Sequence, residues 1–227
     1  MESFRRYFLA ALFSGLIAGA ILAAFHITAT TPLILQAERF EQAEQVAEWQ
    51  PQDGFERGFY TAAADLLLGV GYGAVLIGFF VMLDWPLRLR HGLLWGVTFF
   101  AALSAAPSLG LPPELPGSEA APLLVRQGWW IATAILTFAG LASWILMRHW
   151  RKYPIGLLLL AAPHIIGAPQ APETLARVPL ALRQHFALLS VGGNLLFWIV
   201  LGLAGTFIFN VLKEKTDASS RFIGSAA

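Results

Sequence analysis

Cysteine is absent from this chain of 227 residues, so disulfide bonds, thiolate metal sites and cysteine nucleophiles are excluded. Histidine, aspartate, glutamate and methionine remain as metal ligands. A nucleotide-binding P-loop is also absent, and HExxH, GxSxG and CxxC motifs do not occur. We therefore predict that the chain is not an enzyme and holds no tightly bound cofactor.

Charge is scarce as well, because only 13% of the residues are charged whereas 57% are hydrophobic, and the mean hydropathy is +0.63. These values are typical of a polytopic membrane protein and lie outside the usual range for a soluble domain. Apolar segments fill most of the length and leave no room for a separate soluble domain of ~100 residues. We predict a single integral membrane domain over residues 1–227, with the lipid bilayer and no nucleic acid as partner.

Five segments contain the ~20 apolar residues that a membrane-spanning helix needs. They lie at about 7–29, 62–83, 92–111, 129–147 and 188–211. A sixth segment, at about 154–166, would rise only about 20 Å as a helix and is either a short broken span or a re-entrant element. Glycines in "GLIAG" and "LLGVGYGAVLIG" have the spacing of close helix packing. The predicted fold is an all-α bundle of six membrane helices, with five as the alternative.

The distribution of basic residues favours six spans. With six, two thirds of the 15 Lys and Arg residues fall on one side, as the positive-inside rule requires of the cytoplasmic face. Both termini are then cytoplasmic, with a tail at 212–227. The first apolar run is longer than the ~7–15-residue core of a signal peptide, so we expect it to remain as a membrane helix.

The predicted outer loop, residues 30–61, is acidic and contains an amphipathic helix. Its glutamates would share one broad helix face, at Glu38, Glu41, Glu44 and Glu48. Such a stripe attracts divalent cations that prefer oxygen ligands. The alternative is a solvated helix face, with Leu33, Ile34, Ala37 and Phe40 turned towards the bilayer.

Ionisable residues also occur near the predicted outer ends of the spans. Asp65 lies inside the second span, where a carboxylate is costly and indicates function, unless it reaches the interface or pairs with Arg57. His26, His164 and His185 lie near the same predicted surface. Imidazole and carboxylate together suit Co, Ni, Zn or Fe(II) better than Mg or Ca. The alternative for each histidine is a hydrogen-bonded packing residue.

Prolines mark the predicted outer ends of the first, third and fifth helices, in "TTPLILQAERFE", "AAPSLGLPPELPG" and "AAPHIIGAPQAPE". Pro163 frees carbonyls in the preceding turn. Unpaired backbone at membrane depth is tolerated only where it is buried or lines a cavity. Broken helices at corresponding positions therefore predict a transport site. The alternative is that each proline ends its helix at the interface, where water binds the carbonyls.

Five phrases in order carry a resemblance to a known family: "TPLILQAERFE", "PQDGFER", "PPELPG", "RQGWW" and "PHIIGAP". Together they resemble the CbtA family of bacterial membrane proteins, described as predicted cobalt transporter subunits. The resemblance covers nearly the whole chain. It implies a five- or six-helix subunit in the bacterial cytoplasmic (inner) membrane, with a small one-span partner, CbtB, that bears histidines. Many members carry histidines in the first outer loop, whereas "AEQVAEWQP" here has none.

From the residues and the resemblance together we predict a membrane subunit that transports Co²⁺, or Ni²⁺ or another related divalent cation, through a weak, transient site. The predicted ligands are His26, Glu38, Glu41, Asp65, Glu114, His164 and His185. Arg57, Arg126 and Arg183 would pair with carboxylates when the site is empty. A homo-oligomer is a further option. The alternatives are a non-conducting scaffold, which would bind a partner through Trp129 and Trp130, and a metal-dependent membrane enzyme.

Overall fold

Helices account for all the regular structure in the computed structural model, which describes residues 2–40, 49, 51–83, 87–118, 120–170 and 178–225. The α-helices are α1 Glu2–Phe25, α2 Thr31–Ala37, α3 Phe55–Leu83, α4 Leu89–Phe100, α5 Ala106–Gly110, α6 Leu123–Leu146, α7 Lys152–Ile166 and α8 Leu180–Ser225. Two π-helical turns, His26–Thr30 and Ala101–Ala105, join α1 to α2 and α4 to α5. A short 3-10 turn, Glu38–Phe40, follows α2.

Five of the helical segments are long and apolar enough to cross a membrane. They are Phe4–Phe40, Phe55–Leu83, Leu89–Gly110, Leu123–Leu146 and Leu180–Lys213. The all-α polytopic prediction is therefore confirmed. Helix α7 has 15 residues and would rise about 22 Å, less than a ~30 Å hydrocarbon core. Whether α7 completes a sixth span, and on which side the termini lie, stay predictions. Helix α8 continues through most of the predicted tail.

The chain divides into two compact units. The first comprises Met1–Ile27, Pro51–Val97 and Leu196–Ala227, and the second comprises Thr28–Gln50 and Thr98–Leu195. Each unit has its own packed interior. That residues 1–227 form a single membrane domain stays a prediction.

In the first unit, glycines bring the backbones of α1 and α3 into direct contact. A Cβ atom added at Gly19 would lie 2.5 Å from the Asp65 carbonyl oxygen, and one at Gly73 would lie 2.5 Å from the Ala11 carbonyl oxygen. No larger side chain fits at either position without moving a helix. This is the close approach that small residues at one-turn spacing allow in membrane helices. It confirms the predicted packing role for Gly15, Gly19, Gly69 and Gly73, whereas a Cβ atom added at Gly71 or Gly78 would have no neighbour within 4 Å.

The same unit contains a second glycine contact, between α4 and the later part of α8. Gly92 and Gly202 face one another so closely that a Cβ atom on either would overlap the other's carbonyl oxygen. Trp95 and Trp198 are fully buried beside this contact. Asn210 Nδ2 donates to the Leu87 carbonyl at 2.9 Å, which ties α8 to the chain just before α4. Backbone contact and large aromatic side chains together make the interior of this unit.

The second unit is built around the hairpin of α6 and α7. Gly140 packs against the Gly156 backbone, and Trp144 Nε1 donates to the Tyr153 carbonyl at 3.4 Å. A separate apolar cluster joins α2 to later segments, where Ala37 packs with Leu115 and Val178. Leu33 and Ala37 are buried. The interpretation that these two residues face the bilayer is therefore wrong, because α2 uses its apolar face for contacts within the protein.

None of the first, third and fifth helices ends at its proline, so the alternative that each proline ends its helix is wrong, whereas the predicted ends near 111 and 166 agree with the structure. Helix α2 continues for five residues beyond Pro32, and α5 and α7 continue for three residues beyond Pro107 and Pro163. Proline removes one N–H and crowds the preceding turn, and a wider π-helical turn precedes the first two prolines. Helix α7 ends instead at Gly167, whose φ of 88° and ψ of 147° favour glycine.

Candidate cation site

Two of the predicted ligands, His26 and Asp65, form a direct hydrogen bond in the first unit. His26 Nδ1 lies 2.9 Å from Asp65 Oδ2. The Asp65 side chain is 9% exposed and the His26 side chain is 27% exposed, so the carboxylate is enclosed while the imidazole keeps access from outside. Asp65 lies in α3, within a segment long enough to span a membrane. A carboxylate is thus held inside a candidate span with imidazole as its partner.

Helix packing explains why these two residues meet. Gly19 places α1 directly on the Asp65 backbone. His26 follows Gly19 by seven residues, or about two helical turns, and therefore lies on the same face of the helix. His26 is also the first residue of the π-helical turn that ends α1. Single π-helical turns inside longer helices frequently occur at functional sites.

The pairing excludes one interpretation of Asp65. Arg57 instead forms an ion pair with Asp53, one turn earlier in the chain, with 3.0 Å between Nε and Oδ1. Asp65 is hydrogen-bonded to His26, so its carboxylate has a partner within the protein other than Arg57. The carboxylate orients the imidazole through Nδ1, which makes Nε2 the ring nitrogen that would act as a metal ligand.

Glu114 lies in the second unit and is paired with a cation. Arg126 Nη1 donates to Glu114 Oε2, and both side chains remain partly exposed. The prediction that Arg126 pairs with a carboxylate is confirmed. A metal ion at Glu114 would have to compete with this guanidinium, which already compensates the negative charge.

His164 packs against an aromatic ring in the second unit. Its ring meets the Trp129 ring edge to face, with the centroids 5.9 Å apart. Trp129 Nε1 donates to the Pro163 carbonyl at 3.1 Å, and the Gly167 N–H donates to the same oxygen at 3.1 Å. Trp129 therefore ties α6 to the end of α7, a contact that sequence reasoning missed. This geometry supports a packing role for His164 beside any ligand role.

His185 lies exposed on α8 and lines a cavity of about 740 Å³ in the second unit, together with Arg39 and Gln36. The Arg39 guanidinium repels cations from this cavity. Glu38 is half-buried in the 3-10 turn. Glu41, Glu44 and Glu48 lie outside the described residues.

The predicted ligands do not form one cluster in the described part of the chain. Nowhere among those residues do three His, Asp or Glu side chains converge on a point where a metal ion could bind. The structure brings His26 and Asp65 together, whereas Glu114 and His164 have the other neighbours given above. The seven-residue ligand set stays a prediction.

Family comparison adds to this geometry. The family described as "Probable cobalt transporter subunit (CbtA)" matches residues 4–210. The chain belongs to the CbtA family. Membership confirms the resemblance seen in the sequence and, with the five long apolar helices, identifies a multi-pass membrane transporter subunit with cobalt as its cargo. The word subunit implies a partner chain. No curated protein and no solved structure gives a significant match.

Proposed function

We propose that this CbtA-family chain conducts Co²⁺, or a related divalent transition metal, across the bacterial cytoplasmic membrane, with His26 and Asp65 at the centre of a weak, transient site. One observation carries the proposal. A carboxylate that is 9% exposed lies inside a candidate span and is bonded to an imidazole on the neighbouring helix. Ionisable groups at such positions are costly and typically mark an ion pathway.

The chemistry of the pair suits the cargo. Co²⁺ accepts imidazole nitrogen as a ligand, and the hydrogen bond that His26 Nδ1–H donates to the Asp65 carboxylate fixes the orientation of the ring. One imidazole ligand oriented by a carboxylate, with water in the remaining positions, gives a lower affinity than the closed four-ligand sites of structural metals. Low affinity is what a transport site requires, because the ion must leave as readily as it enters.

The other predicted ligands support entry and passage in this proposal. Glu38 and Glu41 would raise the concentration of cations near the outer surface. Glu114, His164 and His185 would act as further weak ligands, each in competition with the neighbours that the structure gives them. A one-span CbtB-like chain is the proposed partner, and self-association of this subunit is compatible with the proposal.

The test is Co²⁺ uptake by the purified full chain in proteoliposomes, with and without the one-span partner, with Ni²⁺, Zn²⁺ and Mg²⁺ as competitors. We expect Asp65→Asn and His26→Gln each to lower uptake at limiting Co²⁺ by about 10–100-fold, the usual effect of losing a ligand or its orienting partner. The matched control is Asp53→Asn, since Asp53 is an exposed carboxylate of the same unit that pairs with Arg57.

Two results would overturn the proposal. Wild-type uptake by Asp65→Asn at equal membrane abundance would exclude the assigned site. Absence of uptake by the folded wild type in every combination would exclude conduction and favour the scaffold alternative. His164→Ala, measured in parallel, distinguishes the packing role of His164 from a ligand role.

A further inference from the structure

The second unit contains a cavity of about 530 Å³ between the end of α5 and the start of α6. Leu111, Leu123 and Ile131 supply aliphatic walls, and Trp130 supplies an aromatic one. A cavity of this size and lining resembles the sites that bind small amphipathic ligands in other proteins. Of the proposed metal ligands, the cavity lining includes Glu114 but neither His26 nor Asp65.

The position of the cavity indicates what occupies it. One candidate span ends at Gly110, directly before the wall residue Leu111, and the next begins at Leu123. With these two candidate spans in a bilayer, the cavity would lie near the depth where acyl chains meet headgroups. Neighbouring apolar side chains point outwards, since Leu109 is 79% exposed and Leu124 is 82% exposed. In a membrane such surface contacts lipid, and lipid is the most abundant ligand available to an open apolar cavity.

The polar part of the cavity is the ion pair of Arg126 and Glu114, whose remaining N–H donors and oxygen acceptors can still bind a ligand. Arg126 donates to Glu114, and the two side chains are 25% and 36% exposed. A guanidinium carries five N–H donors and a carboxylate has two oxygens, so both can bind a further group without separating. Guanidinium fits a phosphate, and carboxylate accepts hydrogen bonds from an ammonium.

We infer that this cavity binds a zwitterionic phospholipid whose headgroup carries a primary ammonium, as in phosphatidylethanolamine. Arg126 binds the phosphate, Glu114 accepts from the ammonium, and an acyl chain lies along Leu123 and Ile131. An anionic headgroup would satisfy Arg126 but would be repelled by Glu114. A choline headgroup has no N–H to donate to Glu114. Glu114, proposed above as a further weak metal ligand, binds either the ammonium or a metal ion, because the two cations compete for the same carboxylate.

The test compares lipids retained by the purified full chain. Protein is equilibrated in nanodiscs of equal parts phosphatidylethanolamine, phosphatidylglycerol and phosphatidylcholine, transferred to mild detergent, and analysed for bound lipid by native mass spectrometry. We expect about tenfold enrichment of the ethanolamine lipid over the other two, the effect of one additional charge-assisted hydrogen bond. Enrichment of the glycerol lipid, or of no class, would overturn the inference.

Three variants assign the contacts. Glu114→Gln should abolish the preference over the choline lipid while phospholipid is still bound, and Arg126→Gln should lower binding of all three classes about tenfold. Ile131→Trp fills the cavity without changing charge and should lower all binding as well. The control Asp53→Asn removes one carboxylate from a different exposed ion pair and should retain the wild-type preference. A monodisperse Glu114→Gln protein that keeps the preference would refute the headgroup assignment.

Discussion

Replacing Gly19 by alanine should disrupt the His26–Asp65 pair without touching either side chain. A Cβ atom at Gly19 would lie 2.5 Å from the Asp65 carbonyl oxygen. That oxygen belongs to the backbone of α3, which cannot turn away as a flexible side chain would. The methyl group of an alanine at position 19 would therefore push α1 away from α3 at Asp65, a residue of the candidate site.

The size of the separation follows from the contact distances. Ordinary contact begins at 3.4 Å, so the two helices must part by about 0.9 Å at this point. If α1 moves as a rigid body, the distance from His26 Nδ1 to Asp65 Oδ2 increases from 2.9 Å to at most about 3.8 Å, and a distance beyond about 3.2 Å already weakens the hydrogen bond. Overpacking of this kind typically costs 1–3 kcal/mol of stability.

The assay combines thermal unfolding in detergent with Co²⁺ uptake by proteoliposomes. We expect Gly19→Ala to lower both the unfolding temperature and the uptake at limiting Co²⁺. The matched control is Gly71→Ala in α3, because a Cβ atom there has no neighbour within 4 Å. Alanine favours helix over glycine by ~0.5–1 kcal/mol, so this control should be neutral or slightly stabilising. Wild-type stability and uptake in Gly19→Ala would refute the reasoning.

Two further predictions concern packing. Gly202→Ala should lower the unfolding temperature because its Cβ atom would overlap the Gly92 carbonyl oxygen. Gly192→Ala, the control, has open space around it and should not lower it. Equal unfolding temperatures for the two variants would contradict the close contact of Gly92 and Gly202. Trp129→Phe removes the donor to the Pro163 carbonyl and should cost about 0.5–1.5 kcal/mol, measured by thermal unfolding. An unchanged unfolding temperature in that variant would show that the bond contributes nothing.

The membrane helices were predictable from the sequence because ~20 consecutive apolar residues have few stable alternatives to a spanning helix. Their ends were less predictable. The first span was expected to end near residue 29, whereas its segment continues to Phe40. Pro32 indicates a helix end, but a proline removes only one backbone N–H donor. The residues after Pro32 keep their N–H groups and continue the helix to Ala37. Local signals of this kind do not show whether packing will sustain the helix.

The candidate site was predictable residue by residue but not as an arrangement. The sequence indicates His26 and Asp65 individually, because each is an ionisable side chain in an apolar segment. Their hydrogen bond depends on the register of α1 against α3, which the contact of Gly19 with the Asp65 backbone fixes. A glycine pattern indicates that two helices pack closely without indicating which residues meet. Pairing of Asp65 with Arg57 was therefore an equally reasonable expectation.

The sequence by itself determined that the chain is an all-helical membrane protein of the CbtA family, because hydrophobic length and ordered motifs are properties of consecutive residues. Only the tertiary structure decided the partners of the ionisable residues, with Asp65 bonded to His26, Glu114 to Arg126, and His164 packed on Trp129. The physical reason is distance. These pairs are separated by 12 to 39 residues, and only helix packing brings them within the few ångströms over which side chains interact.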